Sequence, residues 1–263
     1  MLINKYLFHH VVDPVKNSAK TVIIVHGIAE HQGRYEHIAK FLNKSGYNVI
    51  RYDLRGHGRS QGPRGKNWNY KNMVNDLRAF VLYANNNFPG KLFLLGHSLG
   101  GLIVNLYATF YHDVDGIISS SAPTNFVKDV LPLRIIPWPL LGFVSKKTNF
   151  ADDKLSRIKE VEDEYNKDPF VLNKFYISLA ASMMVGGVRA LKRRAKNIVT
   201  PIVYIHGSDD KIVPVKFSEE MYHKISSKDK ELMIFQDSYH EIFNDLDKQD
   251  ALDFIKKWLD ERS

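Results

Sequence analysis

The stretch KLFLLGHSLG, residues 91–100, decides the fold of this chain. Its first part, Lys91–Leu95, is an almost continuous apolar run, which is typical of a strand buried on both faces in a parallel sheet. The next five residues place Ser98 between Gly96 and Gly100, and a helical pattern begins at Leu99. A serine on such a tight strand-to-helix turn holds its hydroxyl clear of the sheet, where it is available as a nucleophile.

Working outward, similar β-branched runs alternate with amphipathic helical patterns along the chain. The predicted strands are Tyr6–Val12, Thr21–Val25, Asn48–Tyr52, Lys91–Leu95, Gly116–Ser119, Pro201–Ile205 and Glu231–Phe235. The predicted helices are Tyr35–Ser45, Tyr70–Asn86, Leu99–Tyr111, Val215–Ile225 and Glu241–Glu261. This alternation indicates βαβ units, so we predict an α/β fold with a mostly parallel central sheet and helices on both faces.

The alternation is interrupted between residues 124 and 197, where we find no strand pattern and where prolines break apolar and helical segments. We therefore predict an α/β core formed by residues 1–123 and 198–263, with a helical cap, or lid, inserted at residues 124–197. An ordinary pair of surface helices is the alternative interpretation of this stretch. A length of 263 residues suits a single α/β domain.

The composition excludes several classes of protein. Because cysteine is absent, the chain has no disulfide, iron–sulfur cluster or cysteine nucleophile. With 44% hydrophobic and 25% charged residues it has the composition of a globular protein. No apolar run approaches the ~18 residues that span a bilayer, and the first residues lack the features of a signal peptide. We therefore expect a cytoplasmic protein.

The formal net charge of +8 favours anionic partners. Basic residues are scattered along the whole chain without a nucleic-acid-binding motif, so we do not expect a nucleic acid partner. A basic cluster in the predicted lid, Lys192-Arg193-Arg194 with Lys196, is suited to attract anionic lipid headgroups. It suggests a protein that is peripheral to the membrane and touches it transiently. A solvated helix face is the alternative interpretation.

A serine nucleophile needs an imidazole base and a carboxylate that orients the base, and after this type of turn both follow the serine in the chain. Two polar loops at the ends of the last predicted strands supply these groups, at residues 206–214 and 236–241. The predicted triad consists of Ser98 from the turn after Leu95 and one residue from each of these two loops, Asp210 and His240. Asp209 and Asp237 are the competing candidates for the acidic role.

The reaction also needs two N–H donors for the negatively charged oxygen that forms on the substrate, an oxyanion hole. Leu99 offers one N–H at the start of its helix. The N–H of Ile28 is the second predicted donor, since Gly27 lets the backbone turn towards a substrate after its strand. For the neighbouring His26 and His31 we expect structural roles.

These residues resemble the α/β-hydrolase superfamily and, more narrowly, the monoacylglycerol lipases and related lysophospholipases. HGIAEHQGRY at 26–35 resembles the family's HGxxEHxxRY signature, YDLRGHGRS at 52–60 its DxRGHGxS, and GSDD at 207–210 its GSxD. Further similar stretches are LSR at 155–157, YNKDP at 165–169 and the Tyr239-His240 pair. The resemblance implies an α/β-hydrolase core with a helical lid, no metal or organic cofactor, and Asp210 rather than Asp209 as the acid.

The resemblance also implies a reaction: a serine carboxylic-ester hydrolase that cleaves monoacylglycerols or related single-chain lipid esters to fatty acid and glycerol, through an acyl-enzyme on Ser98. A short-chain carboxylesterase or thioesterase with the same triad is one alternative, and a ligand-binding protein on this scaffold is another. The sequence does not indicate an oligomeric state.

A long acyl chain would need an apolar channel, and the predicted lid contains apolar residues suited to line one. The candidates are Leu133, Ile135, Ile136, Trp138, Leu140, Leu179, Met183 and Met184. Packing of the lid onto the core is the alternative role for these residues.

Overall fold

The computed structural model describes residues Met1–Ser263 and confirms the predicted α/β fold. In chain order, the strands are β1 (Leu2–Ile3), β2 (Tyr6–Leu7), β3 (His10–Asp13), β4 (Lys20–Val25), β5 (Asn48–Tyr52), β6 (Lys91–His97), β7 (Gly116–Ser120), β8 (Ser145–Lys147), β9 (Lys174–Tyr176), β10 (Ile202–Gly207) and β11 (Lys230–Phe235). Seven of them form the central sheet in the order β11-β10-β7-β6-β4-β5-β3. Every neighbouring pair in this sheet is parallel except β3 with β5.

The helices connect these strands. They are α1 (Glu36–Lys44), α2 (Tyr70–Asn87), α3 (Leu99–Ala108), α4 (Lys159–Lys167), α5 (Ile177–Ala180), α6 (Val188–Arg194), α7 (Lys216–Lys224) and α8 (Lys248–Asp260). A π-helical segment, Ala181–Gly187, joins α5 to α6. Short 3-10 turns lie at Gln32–Tyr35, Lys128–Val130, Pro132–Arg134, Trp138–Leu141, Ala195–Asn197 and Ile242–Asn244.

The central sheet is buried on both faces, as its continuous apolar strands predict. In β4, Ile23 and Val25 belong to one hydrophobic cluster, whereas Val22 and Ile24 belong to a second one. Because successive side chains of a strand point to opposite faces, the two clusters lie on opposite sides of the sheet. Helices α2 and α3 contribute to the first cluster, and α1 and α8 contribute to the second.

Residues 124–197, which we call the insertion, connect β7 to β10 and add no strand to the central sheet. The prediction that this stretch contains no strand is wrong, because β8 and β9 pair with each other in antiparallel register. Each of these strands has only three residues, and β8 is the fully exposed sequence SKK, so no apolar alternation marks the pair. The insertion is therefore a mixture of helices, 3-10 turns and one small β pair.

Two further predicted elements have wrong boundaries. The predicted strand Tyr6–Val12 is divided between the hairpin β1–β2, which turns at Asn4 with a positive φ of 50°, and the edge strand β3. The predicted helix Glu241–Glu261 begins only at Lys248. The preceding residues form a 3-10 turn and a loop whose backbone bonds to the insertion, including Glu241 N–H to Leu155 O at 2.8 Å.

The parallel order brings the carboxyl ends of β4, β6, β10 and β11 to one edge of the sheet, and open α/β sheets bind their ligands at that edge. The predicted site residues follow these four strands. None of the helices has both the length and the apolar character that a membrane span requires.

Candidate active site

Ser98 occupies the turn between β6 and α3 in a strained backbone conformation, with φ 51° and ψ −117°. Such a conformation costs about 1–3 kcal/mol for a residue with a side chain. Two backbone hydrogen bonds hold it, from Ser98 N–H to Ser120 O at 2.8 Å and from Leu102 N–H to Ser98 O at 3.0 Å. A side chain at Gly100 would overlap the carbonyl oxygen of Val25, so only glycine fits beside this turn.

Ser98, His240 and Asp210 form one hydrogen-bonded chain. The Oγ atom of Ser98 lies 3.0 Å from His240 Nε2, and His240 Nδ1 lies 2.7 Å from Asp210 Oδ2. The His240 and Asp210 side chains are only 4% and 0% exposed. Because Nδ1 donates to the carboxylate, Nε2 is left to accept the serine proton. The structure thus brings together the three residues that the sequence predicts as a triad.

The electrostatics of the Ser98–His240–Asp210 triad favour an ionised carboxylate beside a basic imidazole. Burial opposes ionisation of Asp210, but the His240 charge and hydrogen bonds from His206 and His240 outweigh it and lower the pKa of Asp210. Burial also opposes protonation of His240, yet the charge and hydrogen bond of Asp210 raise its pKa above the usual 6.5. Asp210 therefore stays ionised and stabilises the imidazolium that forms when His240 takes a proton.

His206 holds Asp210 in place, although it was not among the residues predicted for the site. Its Nε2 atom lies 3.0 Å from Asp210 Oδ2, and its Nδ1 atom lies 2.7 Å from Ser218 Oγ. The second oxygen, Oδ1, accepts N–H bonds from Ile212 and Val213, each at 2.8 Å. Both carboxylate oxygens are therefore fixed. The only sequence signal for His206 is its position at the end of β10, four residues before the acid.

The competing acids lie outside this network. Asp209 is exposed and accepts a hydrogen bond from the Ser208 hydroxyl at 3.2 Å. Asp237 is also exposed, and its own N–H donates to Ser208 Oγ at 2.8 Å. Neither carboxylate is hydrogen-bonded to His240, whereas Asp210 is. The geometry thus favours Asp210 over both alternatives.

The two predicted oxyanion donors follow strand ends: Ile28 lies shortly after β4, and Leu99 directly follows Ser98 after β6. The N–H of Ile28 donates to no backbone acceptor, and Ile28 lines the same space as Ser98. Leu99 is the first residue of α3, where N–H groups have no partner within the helix. His26 braces the Ile28 turn, because its Nδ1 lies 2.8 Å from Gly27 O and its Nε2 accepts the Leu54 N–H at 2.9 Å.

The free space beside Ser98 is small, about 20 Å³, which holds about one water molecule. It lies between the core and the insertion, and it is lined by Ile28, Glu30, Ser98, Phe150, Leu155, Tyr165, Ile212 and His240. An acyl chain does not fit into this volume. Phe150, Leu155 and Tyr165 belong to the insertion, so the insertion forms part of the wall of this space.

The eight predicted channel residues do not line this space. Ile135 and Leu140 point outward, with 90% and 80% of their surface exposed, and Ile136 is 42% exposed. Trp138 stacks on Trp68 with the ring centres 6.0 Å apart. The remaining four residues pack in or against the larger hydrophobic cluster: Leu133, Leu179, Met183 and Met184. Apolar composition alone does not show which surface of the insertion a residue will cover.

A buried acidic group, Glu30, borders the site and was not among the predicted site residues. Glu30 Oε2 accepts hydrogen bonds from Gly27 N–H at 3.1 Å and from the Tyr35 hydroxyl at 2.7 Å. Burial and the neighbouring Glu241 charge raise the pKa of Glu30. The pKa of Glu241 is lowered instead, because Arg34, 2.6 Å away, outweighs the effect of burial. Of these two carboxyls, Glu30 is thus the one that is harder to ionise.

No group of three or more His, Asp or Glu side chains in the structure is arranged so that it could hold a metal ion.

The buried hydroxyl of Tyr165, which borders the space beside Ser98, has no hydrogen-bond partner in the protein. It is therefore free to bind a polar group of a ligand.

Comparison with known proteins relates the chain to hydrolases. The sequence model of the family described as serine aminopeptidase, S33, matches residues 16–247. A monoacylglycerol lipase from Mycolicibacterium smegmatis is 31% identical, over 96% of this chain and 92% of that protein. A monoglyceride lipase from Rattus norvegicus is 27% identical, over 98% of this chain and 88% of that protein. The crystal structure of Paleococcus ferrophilus monoacylglycerol lipase is similar with a TM-score of 0.87 and 26% identity, covering 98% of this chain and 100% of that chain.

Proposed function

We propose, from the premise that this chain belongs to the serine aminopeptidase S33 family of α/β-hydrolases, that it hydrolyses monoacylglycerols and related single-chain lipid esters. The chain is a hydrolase, and its relatives include lipases that act on monoacylglycerols. The observation that carries the proposal is the hydrogen-bonded chain from Ser98 Oγ through His240 to Asp210.

In the proposed reaction, Ser98 Oγ attacks the ester carbonyl while His240 Nε2 takes its proton. The N–H groups of Ile28 and Leu99 stabilise the oxyanion of the tetrahedral intermediate. His240 then returns the proton to the alcohol oxygen, which leaves as glycerol, and the acyl group stays on Ser98. A water molecule, deprotonated by His240, attacks the acyl-enzyme. The bond between the acyl carbon and Ser98 Oγ then breaks, His240 returns the proton to Oγ, and the fatty acid is released. Asp210 orients the imidazole and stabilises its charged form throughout.

The mixed lining of the space beside Ser98 supports an ester with an apolar and a polar part. Ile28, Phe150 and Leu155 offer apolar contacts, whereas Glu30 and Tyr165 offer polar ones. Hydroxyl groups of a glycerol moiety are suitable partners for a buried tyrosine hydroxyl that has no other hydrogen bond. An ester of an alcohol that has no further hydroxyl group would leave the Tyr165 hydroxyl without a hydrogen-bond partner.

We further propose that the insertion, residues 124–197, acts as the lid and touches an anionic membrane surface. Its outermost apolar side chains are Ile135, Leu140 and Phe143, the last 69% exposed. Basic groups lie beside this segment, since Arg134 and Lys192 both pack on the ring of Phe126, at 4.3 and 5.4 Å. Apolar side chains flanked by positive charge favour contact with anionic lipids.

One experiment tests the proposed reaction. The protein is treated with a fluorophosphonate probe and, separately, with a long-chain monoacylglycerol, p-nitrophenyl butyrate, an acyl thioester and an aminoacyl p-nitroanilide. We expect labelling and monoacylglycerol hydrolysis in the wild type, none in Ser98→Ala, and wild-type behaviour in the control Ser226→Ala, whose serine is exposed.

The choice among substrates decides the class of activity. A kcat/KM that is highest for the monoacylglycerol supports the proposal. A preference for the butyrate or the thioester would indicate a short-chain esterase or thioesterase, and a preference for the anilide would indicate an aminopeptidase. A burst of acyl-enzyme without turnover on every substrate would indicate a ligand-binding protein.

A further inference from the structure

A three-residue stretch of the insertion, Leu155-Ser156-Arg157, is hydrogen-bonded to the loop that carries His240. The N–H of Glu241, the residue after His240, donates to Leu155 O at 2.8 Å. The Ser156 hydroxyl donates to Asn244 O at 2.9 Å. The insertion therefore contacts this loop with its backbone as well as with side chains.

Arg157 makes the densest set of contacts in this region. Its backbone N–H and its Nε donate to Asp245 Oδ1 at 3.0 and 3.1 Å, and Nε also lies 3.1 Å from Oδ2. Its Nη2 atom donates to Ser238 Oγ at 3.2 Å and pairs with Asp247. The Asp245 carboxylate is fully buried, whereas Arg157 is 21% exposed. One guanidinium thus binds three residues that flank His240.

Asp245 connects Arg157 to the backbone next to the catalytic base. Its Oδ2 atom accepts the N–H of Tyr239, the residue before His240, at 2.8 Å. Since Glu241 N–H is bound by Leu155, the insertion holds the chain on both sides of His240, on one side directly and on the other through Asp245.

The loop has little structure of its own that would fix the imidazole. Between the end of β11 at Phe235 and the start of α8 at Lys248, its only regular element is the 3-10 turn Ile242–Asn244. On the core side, the hydroxyl of Ser121 donates to His240 O at 2.9 Å. The core also holds the loop at Ser238, whose carbonyl accepts the Asp209 N–H at 3.1 Å, and at Glu241, which lies 2.6 Å from Arg34. The two N–H groups on either side of His240, however, are bound by Leu155 of the insertion and by Asp245.

We propose that Arg157 is a positioning residue, which acts through Asp245 to hold His240 in line with Ser98 and Asp210. The insertion then serves catalysis in addition to covering the site, although none of the triad lies in it. The inference rests on the proposed function of the triad. A misplacement of a reacting group by about 1 Å can cost about 100-fold in rate, so the loss of this contact should reduce kcat.

The test compares Arg157→Ala with Arg262→Ala in the full chain, with p-nitrophenyl butyrate as a small soluble substrate. Arg262 is the control, because its guanidinium is likewise paired with an aspartate, Asp229, and is 17% exposed, but it lies near the C-terminal end of the chain, away from the His240 loop. For Arg157→Ala we expect kcat to fall about 10- to 100-fold with KM nearly unchanged. The acid limb of its pH–rate profile should move to lower pH, because His240 is no longer held against Asp210. Millimolar guanidinium should restore part of the activity of this variant only.

Several results would overturn the proposal. These are a wild-type kcat in Arg157→Ala, a rise in KM alone, or equal losses of activity in both variants that parallel their melting temperatures. If Arg157→Ala does not fold, Arg157→Lys decides in its place: it keeps the charge but cannot bind Asp245 and Asp247 together, so an unchanged kcat contradicts positioning. Failure of the wild type to react with a fluorophosphonate at Ser98 would instead refute the proposed function itself.

Discussion

The Nε2 atom of His240 lies 3.0 Å from Ser98 Oγ, although 142 positions separate the two residues in the chain. The parallel sheet makes this possible, because β6 and β11 both end at the edge where their loops carry the two residues. Neither loop is held by the sheet alone. The Ser98 turn depends on close backbone packing, and the His240 loop depends on the insertion. Each of these dependences predicts the effect of a substitution.

Asp210→Asn should reduce kcat by about 10⁴, if this site behaves as the serine protease triad does. An asparagine keeps the shape of the side chain but removes the charge that stabilises protonated His240, and its amide favours the wrong imidazole tautomer. Steady-state hydrolysis of a soluble ester measures the loss. Asp209→Asn is the control, since its carboxylate is exposed and is not bonded to His240, and it should retain wild-type kcat. A larger loss at Asp209 would transfer the acidic role to that residue.

Activity should decline as pH falls, with a midpoint above the ordinary histidine value of 6.5. The Asp210 charge and hydrogen bond raise the pKa of His240 despite its burial, so the imidazole becomes protonated at a higher pH than a free one. Protonated His240 cannot accept the Ser98 proton, and the base is therefore active only above this pKa. A profile of kcat/KM between pH 5 and 9 reports this pKa for the free enzyme. Constant activity through pH 5–7 would contradict the role of His240 as the base.

Gly100→Ala should destabilise the protein, because the added methyl group would overlap the carbonyl oxygen of Val25 and force the Ser98 turn to move. Overpacking of this kind costs about 1–3 kcal/mol or more in unfolding free energy. Gly186→Ala is the control: the nearest atoms to its added carbon would be 3.7 Å away, an ordinary contact. Urea denaturation of both variants measures the difference. Equal stability of the two would show that the turn tolerates a side chain.

Membrane binding should depend on the outward-facing side chains of the insertion. Ile135→Asp combined with Leu140→Asp removes two apolar side chains that are 90% and 80% exposed. Burial of each such side chain contributes about 1.5–3 kcal/mol, so binding to anionic vesicles should weaken at least about tenfold. Hydrolysis of a soluble ester should be unchanged. Leu82→Asp, also at an exposed leucine but outside the insertion and away from the His240 loop, is the control for added charge.

Vesicle flotation distinguishes this surface from a general attraction of the basic protein to anions. If the double variant and the control bind equally well, the exposed segment has no role. If the wild type does not float with anionic vesicles at low salt, the membrane contact itself is refuted.

The parts of the site that local sequence patterns encode could be predicted. The Ser98 turn could be predicted from consecutive residues, because the apolar strand, the two glycines and the following helix each have a recognisable local pattern. The strand ends that carry Asp210 and His240 follow from continuous apolar runs. The choice of Asp210 over Asp209 came from a resemblance, and the structure supports it with four hydrogen bonds to the Asp210 carboxylate.

The features that could not be predicted depend on contacts between distant segments. Arg157 and Asp245 are 88 positions apart, and the presence of an arginine or an aspartate in the sequence does not indicate which residue it will pair with. The pairing of β8 with β9 joins three-residue strands without an apolar pattern. Ile135 and Leu140 are apolar but exposed, because the prolines around them favour 3-10 turns whose outer face meets no other element.

The insertion contains two stretches with different connections to the rest of the chain. Residues 155–157 bond to the His240 loop, whereas the side-chain hydrogen bonds of residues 131–147 stay within the insertion, as in Lys146 with Asp129. We expect that residues 131–147 can be replaced by another sequence without loss of turnover. Replacement of residues 131–147 should then change membrane contact and leave turnover intact, provided that Arg157 is retained.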